Sequence, residues 1–258
     1  MSQTNTFPIF GNGNPFHSNE KSTSTNKFNL QTLLDFSTLQ PRVQLHLKNV
    51  YTCLLFSTLC ATLGVYFSLN EWLNYPRLAV FASIITTIWL FTLDFNAQTQ
   101  IKCFSLMSAT ALFTGIYLSP LINLAINVDP QIIVTAFLLT TIIFVCFTLS
   151  ALLTQKRTYL YLGGILGTGT TIMFVLSLMN LFGRSQLLFN VNLYIGLFIA
   201  CGYILYDTQL IVARATHGDM NYVKHAILLF IDLVDLFVRI SIILLKNSQN
   251  KNKKNNNR

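Results

Sequence analysis

The chain has 258 residues, 52% of them hydrophobic, 13% aromatic and only 10% charged, with a formal net charge of +8. A soluble domain carries about 25% charged residues, so the composition excludes an ordinary soluble fold and points to the lipid bilayer. The basic residues sit in loops and tails without interleaved aromatics, which excludes a nucleic-acid surface and fits topology determinants and headgroup contacts.

Residues 1–29 are rich in Asn, Ser, Thr and Gly, too polar to bury a core, and are predicted to be disordered. They hold no continuous apolar run of the kind a signal peptide needs. Leu30–Leu39, "LQTLLDFSTL", predicts a short amphipathic helix at the membrane face, ended by Pro41.

Seven apolar segments follow: Val50–Leu69, Leu78–Phe95, Cys103–Ile126, Ile132–Leu153, Tyr159–Phe182, Leu187–Val212 and Ala226–Leu245. Crossing a bilayer takes roughly 20 apolar residues, so each is read as a spanning helix. Short polar connections such as "NAQTQIK", "NVDP" and "GRSQ" leave no room for an inserted soluble domain. Residues 30–245 are therefore predicted to form one all-α polytopic membrane domain, a bundle of seven apolar helices whose last member either crosses or re-enters. Residues 246–258 read as a flexible basic tail near anionic headgroups.

Two local patterns carry no chemistry on this reading. Gly163, Gly164, Gly167 and Gly169 in "GGILGTGT" lack the Lys-Ser/Thr of a phosphate loop and lie inside a span, so they predict close helix packing. Cys53, Cys60, Cys103, Cys146 and Cys201 form no CxxC pair and read as small apolar residues of a membrane core.

Orientation follows from the basic residues. With the N-terminus cytosolic, that side holds Lys21, Lys27, Arg42, Lys48, Lys102, Lys156, Arg157, Arg214 and Lys224, nine in all, against Arg77 and Arg184 on the other. A seventh crossing would add Lys246, Lys251, Lys253, Lys254 and Arg258 to the far side, whereas a re-entrant last segment would keep them cytosolic.

The acidic residues inside the last two segments need a reason, because a carboxylate in hydrocarbon costs about 2.5–3.5 kcal/mol even on lenient scales. Asp232, Asp235 and Arg239 share a helical face at i, i+3 and i+7, and His225 continues that stripe. Asp235 and Arg239, four apart, can pair within the helix, which leaves Asp232 without a local partner. Asp207 lies near the cytosolic end of the sixth segment, with Arg214 two turns on. The short connection from Ala213 to His225 makes these helices neighbours and Asp207 and Asp232 plausible partners. Two facing carboxylates in a low dielectric cannot both ionise cheaply, so they hold a shared proton and act as a pH-dependent latch. Once ionised they attract a cation such as Ca²⁺, with Thr208, Gln209, backbone carbonyls and water completing a transient oxygen shell. A hydrogen-bonded pair with a purely structural role is the alternative.

"YDTQLIVARATHGDMNYVKHAILLFIDLVDLF" resembles the C-terminal signature of the Bax inhibitor-1 (transmembrane Bax inhibitor motif) family. The resemblance extends through "LLDFSTLQPRVQLHLKNVY", "NYPRL", "NVDPQIIVTAFLLTTIIFVCFTLSALL" and "YLYLGGIL", from about Asn29 to Leu245. It implies a non-enzymatic endoplasmic-reticulum membrane protein of six or seven helices that suppresses cell death. It further implies a pH-sensitive Ca²⁺ leak sensed by an aspartate pair, here Asp207 and Asp232, with Bcl-2-type proteins and Ca²⁺-release channels as partners. The family's "HGD" loop falls on His217, Gly218 and Asp219. The chain departs from the pattern at Leu228, where many members are acidic, and at Asp235, an added acid on the same face. Bacterial members also pair one aspartate with an arginine of the second helix, and Leu78–Phe95 holds none.

Two rival readings start from the same residues. An intramembrane aspartyl protease shares the Tyr206-Asp207 pair, but "LFID" ending at Asp232 lacks the Gly-x-Gly-Asp of the second active-site motif, and no Pro-Ala-Leu follows. A retinal-type seven-helix receptor needs a lysine within its last span, and Lys246 lies beyond it.

Overall fold

The computed structural model describes residues 40–73, 75–94, 96, 98–153 and 159–256. The expectations for residues 1–29 and Leu30–Leu39 lie outside the described residues. Among the described residues seven helices follow one another: α1 (Pro41–Leu69), α2 (Pro76–Thr92), α3 (Gln100–Val128), α4 (Gln131–Leu153), α5 (Tyr159–Gly183), α6 (Gln186–Thr216) and α7 (Tyr222–Asn256). Among the described residues there is no strand.

Prolines set the entries. Pro41 begins α1 and Pro76 begins α2. The first helical position has no intrahelical partner for its N–H, so the missing donor of proline is tolerated there. Pro120 lies inside α3 and cannot donate to the Ile116 carbonyl four residues back. The Ser119 hydroxyl donates to that carbonyl instead, at 2.8 Å, and also contacts Ser68 of α1 at 2.6 Å.

Among the described residues, five helices are long and apolar enough to cross a membrane: α1, α3, α4, α6 and residues 161–183 of α5. The α2 helix is apolar but has only 17 residues. The α7 helix has length to spare and carries Asp232, Asp235 and Arg239 in its apolar stretch. It runs unbroken for 35 residues, about 52 Å at 1.5 Å per residue, without the chain reversal a re-entrant segment requires. It also corrects the tail, which is helical as far as Asn256. Helical hydrogen bonding simply continues through the Lys-rich segment, where Lys253 and Lys254 in the last turn complement the negative end of the helix dipole.

The most charged helix is the central one. The α7 helix packs against α1, α3, α4 and α6, while α2 packs chiefly on α3 and α5 on α6. Its face is buried through Val223, Ala226, Ile227, Leu229, Phe230 and Leu236. Many apolar side chains of α2 and α5 face outward, as a lipid-facing rim requires. Where α1 meets α3, Gly64 and Gly115 bring the two backbones so close that a Cβ on either would strike the opposite carbonyl. In α5, Gly163 and Gly169 make room for Tyr206 and Ile199 of α6, as packing glycines should, whereas Gly164 and Gly167 meet nothing.

Candidate functional site

The α6 helix starts at Ser185, whose hydroxyl accepts the Leu188 N–H, and ends in a left-handed turn at Gly218, φ +99°. There the Asp219 N–H returns to the Arg214 carbonyl at 3.0 Å. Asn221 caps α7 by accepting the Lys224 N–H at 3.1 Å, and Asp219 accepts the Asn221 N–H at 3.1 Å. This tight connection folds α7 back along α6 and places Asp207 opposite Asp232.

The two carboxyls interact directly across the α6–α7 interface. Asp207 is 9% exposed and Asp232 8%, and Asp232 Oδ2 has no hydrogen-bond partner. The basic side chain acting on Asp207 is Arg214, at the end of its own helix. Arg239 is committed elsewhere, donating from Nε to Asp235 Oδ2 at 2.8 Å. The spacing argument for an Asp235–Arg239 pair therefore holds, and Asp207 and Asp232 are the two carboxyls brought together between α6 and α7.

The supporting residues divide. Thr208 is fully buried, and the Tyr51 hydroxyl of α1 approaches both it and Thr148 of α4. These three hydroxyls close no hydrogen bond of ordinary geometry, although all three oxygens are buried where α1, α4 and α6 meet. Gln209 points away, donating to the Ala151 carbonyl of α4 at 2.7 Å, so it ties helices together rather than facing the pair. Asp235 and Arg239 flank the site on the next turn. Arg239 also reaches the Asn192 carbonyl of α6 at 3.4 Å, in a slot that exists because residue 196 is glycine. Asp235 lines a cavity of 720 Å³ between α2, α3 and α7, together with Ser83, Thr87, Thr110, Thr114 and Tyr117.

Sequence spacing missed a second polar cluster at the end of the bundle where α1 and α7 begin. His46 Nε2 and His225 Nδ1 are 2.8 Å apart, and Asp219 Oδ2 lies 3.6 Å from His225 Nε2. The partners are 179 positions apart, beyond any local pattern; the one sequence signal is His225 on the stripe of Asp232.

A helical bundle with lipid-facing outer helices and a carboxyl pair enclosed at its centre defines a multi-pass membrane protein with a built-in polar junction. The family model described as "Inhibitor of apoptosis-promoting Bax1" matches residues 43–250, and the chain belongs to that family. Bax inhibitor 1 of Mus musculus is 41% identical over 228 residues, 88% of this chain and 96% of the relative. Bax inhibitor 1 of Homo sapiens is 40% identical over 228 residues, with the same coverage of 88% and 96%. Bax inhibitor 1 of Arabidopsis thaliana is 42% identical over 221 residues, 85% of this chain and 88% of the relative.

Proposed function

We propose that the protein is a suppressor of cell death in the endoplasmic-reticulum membrane that acts as a pH-sensitive Ca²⁺ leak, gated by Asp207 and Asp232. The observation that carries this reading is a buried carboxyl pair joining α6 to α7, with Arg239 already engaged by Asp235. Such a pair is held together by one shared proton and changes its interaction when that proton number changes. Family membership and the names of the relatives support the cell-death role.

Ca²⁺ is cargo in this account. Among the described residues no group of three or more His, Cys, Asp or Glu side chains gathers as a metal centre. Two carboxylates flanked by Thr208, Thr148 and Tyr51 hydroxyls suit brief coordination in passage, since a stable Ca²⁺ cage takes six to eight oxygens. Nothing in this mechanism calls for an enzyme; Bcl-2-type proteins and Ca²⁺-release channels are the partners it would meet.

The lysine and arginine count supports a cytosolic N-terminus. The unbroken α7 helix favours a full seventh crossing, which sets its tail on the opposite side. Protease protection of a C-terminal tag in sealed microsomes decides this: survival until detergent is added supports the crossing, and immediate digestion supports re-entry.

The test of function is Ca²⁺ flux from liposomes holding the purified protein, from about pH 6 to 8. Asp207→Asn and Asp232→Asn keep size and polarity but cannot titrate, so each abolishes the pH response. Unchanged pH profiles in both variants refute the gate.

A further inference from the structure

The histidine cluster lies apart from the aspartate pair, on the other side of two helical turns of α7. His46 is 4% exposed and His225 1%. They meet near the starts of α1 and α7, with ring centroids 5.0 Å apart and planes at 88°. Two buried imidazoles in direct contact are an uncommon choice for mere packing, because each ring nitrogen needs a partner.

The acid beside them selects one arrangement. Asp219 faces His225 Nε2, which favours a proton on that nitrogen. His225 Nδ1 is then the acceptor, and His46 Nε2 donates to it. His225 Nε2 has no hydrogen bond at 3.6 Å from the carboxylate, so the arrangement is one step short of closure.

We propose that His46, His225 and Asp219 form a second proton-binding site, which takes up a single shared proton and thereby fastens the 217–221 connection and α1 to α7. With that proton, His225 carries N–H on both nitrogens. It donates from Nδ1 to His46, which moves its own proton to Nδ1, and from Nε2 to Asp219, which closes the 3.6 Å gap. A second proton would set N–H against N–H at the 2.8 Å contact and is excluded while the contact lasts.

The surrounding charges bear on this uptake in opposite senses. His225 precedes the apolar stretch of α7, which begins at Ala226. Burial lowers its affinity for a proton below the usual imidazole range, Asp219 raises it, and His46 and Arg214 lower it. On the same helices Lys48 is exposed, and Lys224 donates to the Phe91 carbonyl of α2 at 3.0 Å. Lys102 of α3 and Asp94 after α2, at the same end, are exposed. Asp219 is thus the group that makes a charge tolerable here; its carboxylate is half exposed, with Oδ1 accepting the Asn221 N–H and Oδ2 facing His225.

The experiment is ¹⁵N-histidine magnetic resonance of the full chain in lipid nanodiscs across a pH series. Wild type is expected to show two of its four histidines sharing one transition that accounts for one proton. Asp219→Asn can still accept the Asn221 N–H, and it weakens that proton's binding at least tenfold, a shift of one pH unit or more. His46→Gln keeps a hydrogen-bonding side chain and leaves His225 titrating alone. Two independent transitions of one proton each in wild type, or a midpoint unmoved in Asp219→Asn, overturn the proposal. Because the readout is histidine protonation, it stands or falls separately from the aspartate gate.

Discussion

Asp232 and Asp235 are the same residue type one turn apart on one helix, yet they live in different surroundings. Asp232 is enclosed against Asp207 with an oxygen left unpartnered. Asp235 is 45% exposed at its side chain, is tied to Arg239 and lines a mostly apolar cavity that five hydroxyl side chains also reach. The difference lies in what each meets: a second carboxyl on one side, a cation on the other. A carboxyl facing another carboxyl gains no opposite charge, while one beside a guanidinium is held in an ion pair that ties the helix surface together.

The sharpest way to break this comparison is to exchange the roles. Asp232→Asn should remove the pH response of Ca²⁺ flux altogether, whereas Asp235→Asn should keep it. Loss of the response in Asp235→Asn alone would move the gate one turn along α7. Next in size is the ion pair itself. Asp235→Ala strands Arg239, 20% exposed, and should lower unfolding stability in nanodiscs by about 2 kcal/mol, below the range for a fully buried pair because the Asp235 side chain is 45% exposed. The double variant Asp235→Ala/Arg239→Met should be less damaged than the single. A double variant as damaged as the sum of the singles would show that the two side chains are not coupled.

Gly196→Ala sharpens the same contrast from the opposite helix. The new methyl group would occupy the place of the Arg239 guanidinium, so it should cost about 2 kcal/mol by overpacking. The loss should appear in thermal unfolding, with the pH profile of flux retained. The smallest expected effect is at the connection that sets the register of α6 and α7. Asn221→Ala removes the α7 cap and should cost about 1 kcal/mol, measurable as faster amide exchange in residues 219–225.

Much of this was legible in the residues. Each of the seven apolar segments is a helix, and the i, i+4 spacing of Asp235 and Arg239 led directly to their ion pair. Elimination of local partners also led from Asp207 to Asp232. The ends were harder, because apolar runs do not mark where helices begin: α1 opens at Pro41, nine residues before the predicted apolar segment. Composition likewise misjudged the tail, since a helix already running through α7 needs no new nucleus to continue. Gln209 could not be placed because its orientation depends on a carbonyl 58 residues away. The meeting of His46 with His225, and the slot that Gly196 gives Arg239, are tertiary facts with no periodic signal.

The claim at the centre is that a proton shared by Asp207 and Asp232 holds α6 against α7. Spin labels on a cysteine-free background at Phe198 and Ile231, both exposed, report the separation of these helices by pulsed electron resonance from about pH 6 to 8. The account predicts a distance distribution in wild type that changes with pH and one in Asp207→Asn that does not. A wild-type distribution that is the same at every pH, or an equal shift in Asp207→Asn, would contradict it.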